Sequence, residues 1–119
     1  KPGPWLSTYF ASKAYVLHFS EGLREEVKKT GIKVSVLCPG ITRTRFFDAA
    51  KMNTDAIKQS TSAMTPEEVA LYTVRALDKN KAIIIPGRRN RWITRFPRIL
   101  SRWMTRKIAA SVNKSYCPR

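Results

Sequence analysis

The chain has 119 residues, is 43% hydrophobic and carries a formal charge of +15. Its length allows one domain at most, and its apolar content provides for a core and excludes wholesale disorder. No apolar run reaches the roughly 18 residues of a spanning helix, so none is expected.

Lys1-Pro2-Gly3-Pro4 reads as a loop and not as a secretory leader. Ser7 or Thr8 is placed to cap a helix that begins near Tyr9. The pattern carries this helix to about Lys29, with Gly31 as its stop signal. Its first half (Phe10, Ala11, Ala14, Tyr15, Val16, Leu17, Phe19) is apolar almost all round. Its second half is polar apart from Leu23 and Val27. A helix apolar all round must be covered, by its own sheet or by a partner subunit.

Ile32 to Leu37 is a β-branched run ended by Pro39, which predicts a buried parallel strand. Cys38 falls in this pattern and is most simply a buried free thiol. Cys117 is distant in sequence, so neither a disulfide framework nor a metal site is expected. The default compartment is reducing and cytoplasmic. Residues 45–63 are aperiodic and include a Ser60-Thr61-Ser62 stretch. They form either a functional loop or an ordinary long surface connection.

Thr65-Pro66-Glu67-Glu68 is a strong helix start: a capping hydroxyl, a proline at the first position and an acid three residues after the cap. That helix should reach about Lys79. Ala82-Ile83-Ile84-Ile85 predicts a second buried strand, closed by Pro86-Gly87. Helix followed by strand is one arm of an α/β crossover. Beyond Gly87, Trp92, Ile93, Phe96, Ile99, Leu100, Trp103, Met104, Ile108 and Val112 recur at helical spacing, with Pro97 expected to split the segment in two.

Charge is unevenly spread. Ten of the 23 cationic side chains and none of the eight acids lie after Gly87, so the +15 divides into +10 there and +5 before it. Such a tail calls for an anionic partner. Arg91, Arg95, Arg98, Arg102 and Arg106 form a stripe beside the apolar positions. A basic amphipathic helix with tryptophans suits an anionic membrane surface or another acidic ligand. Nucleic acid is disfavoured, because no recognised binding motif is present. The bland alternative is a solvated face on helices that cover a pocket or a subunit contact.

Tyr9 and Lys13 are the candidate catalytic residues. At i and i+4 they share a helix face, with Cβ atoms about 5–6 Å apart. An ammonium that close favours phenolate over phenol. A tyrosine tuned in this way can give or take a proton at a carbonyl or hydroxyl carbon. A Tyr-x-x-x-Lys spacing also arises by chance as a solvated contact, so the surrounding residues decide. His18, one turn further on, is read as structural. Trp5 either lines a pocket or anchors its loop.

Tyr9-Phe10-Ala11-Ser12-Lys13-Ala14 is followed by Gly31-Ile32-Lys33-Val34-Ser35-Val36-Leu37 and then Cys38-Pro39-Gly40-Ile41-Thr42-Arg43-Thr44. This order resembles the C-terminal half of the short-chain dehydrogenases/reductases, a family of NAD(P)-dependent oxidoreductases. The likeness covers about residues 1–87 and, more loosely, the rest. The wording from Pro39 to Phe47 resembles a bacterial subgroup of undefined substrate.

The resemblance implies an α/β fold: the C-terminal part of a Rossmann-like doubly wound parallel sheet, about two strands with three to four helices. Residues 1–87 would be family domain and 88–119 a basic amphipathic helical extension. It implies that Tyr9 is the general acid or base toward a carbonyl or secondary alcohol. Lys13 would support Tyr9 and hydrogen-bond the nicotinamide ribose of NAD or NADP. Pro39 and Gly40 would turn the chain at the carboxyl end of a strand, with the Thr42 backbone and Thr44 hydroxyl meeting the carboxamide and a nearby phosphate. Residues 45–63 would be a mobile lid, and the helix at 9–29 would form a homo-oligomer interface.

The family's glycine-rich phosphate loop, its NAD-or-NADP selecting residue, its asparagine-alanine-glycine motif and its catalytic serine have no counterpart in this sequence. Ser7 and Ser12 lie too near Tyr9 to replace the serine. No choice between NAD and NADP follows. The expectation is an incomplete C-terminal fragment, inactive alone, or a shortened product with a remodelled assembly. The competing class is a non-catalytic module that binds an anionic membrane surface or nucleic acid through its tail.

Overall fold

A computed structural model describes residues 3–45, 63–95 and 100–116. Among them, four helices and two strands follow one another as α1 (Ser7–Glu26), β1 (Val36–Leu37), α2 (Pro66–Asp78), β2 (Ile83–Ile84), α3 (Arg88–Arg95) and α4 (Arg102–Tyr116). The class is α/β, as expected for part of a Rossmann-like sheet. The expected lid at 45–63 lies outside the described residues, apart from Arg45 and Ala63. The split at Pro97 and the thiol of Cys117 also lie outside them.

β1 and β2 pair in parallel, Val36 opposite Ile83 and Leu37 opposite Ile84. Val36 N–H donates to Ala82 O at 2.9 Å and Cys38 N–H to Ile84 O at 2.8 Å. Ladder pairing is limited to these residues, so the strand predicted over 32–37 is shorter than its apolar run. Ile32 is 62% exposed, and among the described residues no strand pairs with that end. α1 packs on β1. The buried apolar residues are Val36, Val69, Ala76 and Ile84, with Pro86 fully enclosed beside them.

α1 begins two residues before Tyr9, and neither Ser7 nor Thr8 caps it. The chain enters through a turn at Pro4–Trp5, where Leu6 N–H donates to Gly3 O and Phe10 N–H to Leu6 O. Leu6 is therefore the cap, and the Ser7 hydroxyl reaches back to Gly3 O at 3.4 Å. Gly3 is required there, since a Cβ on it would fall 1.9 Å from the Phe10 ring. The helix ends at Glu26 and turns onward to Gly31, which adopts φ +80°. No residue of α1 is fully buried, so the cover expected for its apolar half is absent among the described residues.

α2 starts as its sequence predicts. The Thr65 hydroxyl accepts from Glu68 N–H at 3.2 Å, and the Glu68 carboxylate accepts from Thr65 N–H at 2.8 Å. Pro66 occupies the first helical turn, where its missing N–H costs nothing. Arg24 of α1 ties the layers together by donating to Val34 O and to Asn80 O, the latter at 2.8 Å.

Candidate active site

Tyr9 and Lys13 lie in the first two turns of α1, on one face. The Lys13 ammonium stands 5.5 Å from the centroid of the Tyr9 ring. A cation in this position is attracted by the ring face and orients the phenol. Phe10 meets the Tyr9 ring edge-on at 5.7 Å, and the Ser12 hydroxyl donates to the Tyr9 carbonyl at 2.8 Å. Ser12 thus serves its own helix. Tyr9 is 41% exposed. His18 is exposed and stands 3.5 Å from the Glu21 carboxylate.

The second group of candidate residues leaves the carboxyl end of β1. Pro39 and Gly40 are exposed at the exit of the strand, where open α/β sheets receive ligands. The Thr42 hydroxyl donates to Gly40 O at 3.3 Å and closes a tight local turn. A parallel bridge between Thr42 and Met64 pins the loop: Arg43 N–H donates to Met64 O and Met64 N–H to Ile41 O. Thr44 follows at the surface. Burial, and secondarily the Glu21 charge, push the Cys38 thiol up from its ordinary value. Cys38 is therefore a neutral side chain behind this loop.

Two residues that sequence reasoning passed over hold these loops. Asn90 and Asn113 are the buried polar side chains among the described residues. Asn90, in α3, donates its amide to Pro86 O at 2.9 Å, at the exit of β2. The same amide lies against Gly40, at the exit of β1. Asn113, in α4, donates to Pro4 O at 3.0 Å, in the loop that leads into Tyr9. α3 and α4 thus each grip one loop next to the candidate residues. The available signal was an asparagine inside an amphipathic helix, where its local propensity is poor and a tertiary partner is needed.

The family model described as short chain dehydrogenase matches residues 1–55. Residues Tyr9, Lys13, Pro39, Gly40, Thr42 and Thr44 all fall within that span. A sulfoacetaldehyde reductase of Chromohalobacter salexigens is 38% identical over 73 residues, covering 58% of this chain and 29% of the relative. A very-long-chain 3-oxoacyl-CoA reductase of Mus musculus is 32% identical over 114 residues, 96% of this chain and 34% of the relative. An NADP-dependent 3-hydroxy acid dehydrogenase of Schizosaccharomyces pombe is 28% identical over 83 residues, 66% of this chain and 32% of the relative. The matched part spans about a third of the length of each of these relatives. They come from a bacterium, a mammal and a yeast, so no bacterial subgroup is singled out. No solved structure matches.

Proposed function

The chain belongs to the short-chain dehydrogenase family through residues 1–55, and from that premise we propose that it carries the proton-transfer side of an NAD(P)-dependent oxidoreductase site. The substrate class is a carbonyl compound or the corresponding secondary alcohol. The single observation that carries this reading is the Tyr9–Lys13 pair on an accessible helix face, the ammonium 5.5 Å from the ring centroid.

The Tyr9 hydroxyl gives its proton to the substrate oxygen in reduction and takes one in oxidation. The Lys13 ammonium stands over the Tyr9 ring and holds it in place. The residues present fit the nicotinamide end of the cofactor. Lys13 offers donors to ribose hydroxyls, and Thr42 and Thr44 offer backbone and hydroxyl partners to a carboxamide. When bound, that ring supplies or accepts the hydride. The pyrophosphate needs a glycine-rich loop that is not among these 119 residues, so the chain alone is expected to bind cofactor poorly and to turn over little substrate.

The apolar row Tyr15, Val16 and Phe19 on α1 supports association with a second copy through this helix. The test of the catalytic reading is cofactor titration of a version that also contains the upstream half of the domain. Saturable NADH or NADPH binding is expected, and Tyr9→Phe should lower turnover by roughly 10²–10⁴-fold while leaving that binding intact. Absence of binding to either nucleotide sinks the reading.

A further inference from the structure

Asn90 fixes the rotation of α3. Its side chain is buried on Gly40 and Pro86, so that side of the helix faces the β-strand exits. Arg88, Arg91, Trp92 and Arg95 stand at i, i+3, i+4 and i+7, a single face. At 100° per residue that face lies roughly 150° from Asn90. The arginines therefore point away from the candidate active site, around an open hollow of about 330 Å³ lined by these four residues. A charged substrate at Tyr9 does not account for them.

α4 is turned in the same sense. Its buried side carries Asn113, while Trp103, Met104, Lys107 and Ile108 are exposed. The Lys107 ammonium rests 5.1 Å from the Trp103 ring. Trp92 is 75% exposed and Trp103 59%, in a segment with no acid beyond Asp78. Among the described residues, carboxylate contacts of this kind occur in and just after α1, at His18–Glu21 and Lys28–Glu25, and none reaches Arg88, Arg91 or Arg95.

We infer that the outward faces of α3 and α4 form a docking surface for an anionic phospholipid bilayer. Lipid phosphates and carboxylates pair with the guanidinium groups, while Trp92 and Trp103 enter the headgroup layer. A protein interior does not accept three such arginines without acids to pair them. A second copy would bring the same cations to the contact. Nucleic acid would answer the charge but leave Met104 and Ile108 without apolar surroundings. A bilayer interface answers both at once.

Vesicle co-sedimentation of the full chain tests this. Binding is expected to phosphatidylcholine vesicles that contain phosphatidylserine, and not to phosphatidylcholine alone. Arg91→Gln and Arg95→Gln should each weaken it about fivefold, and added salt should release the chain. Trp92→Ala and Trp103→Ala should weaken it with the salt dependence retained. All four positions are exposed or half-buried, and circular dichroism checks that the variants fold. Uptake independent of phosphatidylserine, uptake unchanged in Arg91→Gln/Arg95→Gln, or capture of duplex DNA without capture of vesicles overturns the proposal. No cofactor enters this readout, so it and the oxidoreductase reading can fail separately.

Discussion

The side-chain amide of Asn90 occupies the space that a side chain at Gly40 would need. A Cβ added there would lie 2.2 Å from Asn90 Nδ2, 2.5 Å from its Cγ and 2.6 Å from its Oδ1. The amide is not free to swing away, because it is buried and bound to Pro86 O. The exits of β1 and β2 are thus joined through one residue of α3.

Gly40→Ala should therefore be destabilising by overpacking, by about 1–3 kcal/mol in urea denaturation of the full chain. The double variant Gly40→Ala/Asn90→Gly should cost less than its two single changes added together, since the second removes the obstruction. Additive costs would mean that the two residues do not meet.

The start of α2 gives a second prediction. Thr65→Ala removes the hydroxyl that accepts from Glu68 N–H and should cost about 1 kcal/mol. Glu67, in the same turn, is held below its ordinary value of 4.5 by its own backbone N–H first and by the Thr65 hydroxyl second. A carboxyl lowered on folding contributes stability above its unfolded value and loses it as pH falls through the folded one. The urea midpoint should drop on acidification below about 4.5, and less steeply in Glu67→Gln. An unchanged slope in that variant would remove Glu67 from the acid transition.

These two sites differ in how far the sequence foretold them. The cap of α2 is legible because all its partners lie within four residues and each residue type has one strong local role. The parallel pairing of Val36 with Ile83 was legible from apolar runs that end at Pro39 and Pro86. The family order of motifs was legible from Tyr9 to Thr44, within the span that the family model matches. Strand length was not, because an apolar run does not say how many neighbours will pair with it. The start of α1 was misread because a turn through Gly3 competes with the Ser7 and Thr8 hydroxyls. Asn90, Asn113 and Arg24 were missed for a shared reason. Their decisive partners include Gly40, Pro4 and Asn80, remote in sequence, and no periodicity encodes such contacts.

Arg24 makes this point testable. Its guanidinium binds Val34 O ahead of β1 and Asn80 O beyond α2, so it holds α1 against both strand entries. Asn80 itself sits in the left-handed region at φ +49°, which an asparagine tolerates. Arg24→Met keeps most of the aliphatic stem and removes both hydrogen bonds. It should lower stability by about 1–3 kcal/mol in urea, the range for losing hydrogen bonds from a charged donor. Arg24→Lys should recover only part of the loss, because one ammonium lacks the planar fork that reaches two carbonyls. Full recovery by lysine would show that charge alone matters there.

The apolar row on α1 supplies the last prediction. Tyr15 and Phe19 are 69% and 57% exposed, and their rings stack at 6.0 Å with an interplanar angle of 14°. Val16 is exposed beside them, so the row is a continuous apolar strip and not a scatter of single residues. Glu21, Glu25 and Glu26 follow within two turns of Phe19 and limit the strip at its C-terminal end. A strip of this kind in water favours pairing with an equal strip of a second copy. Phe19→Glu should therefore shift the chain toward monomer in analytical ultracentrifugation, with its far-ultraviolet circular dichroism unchanged. The substitution is on an exposed position, so loss of the fold does not account for the shift. A sedimentation profile identical to that of the parent chain would mean that this face of α1 takes no part in association.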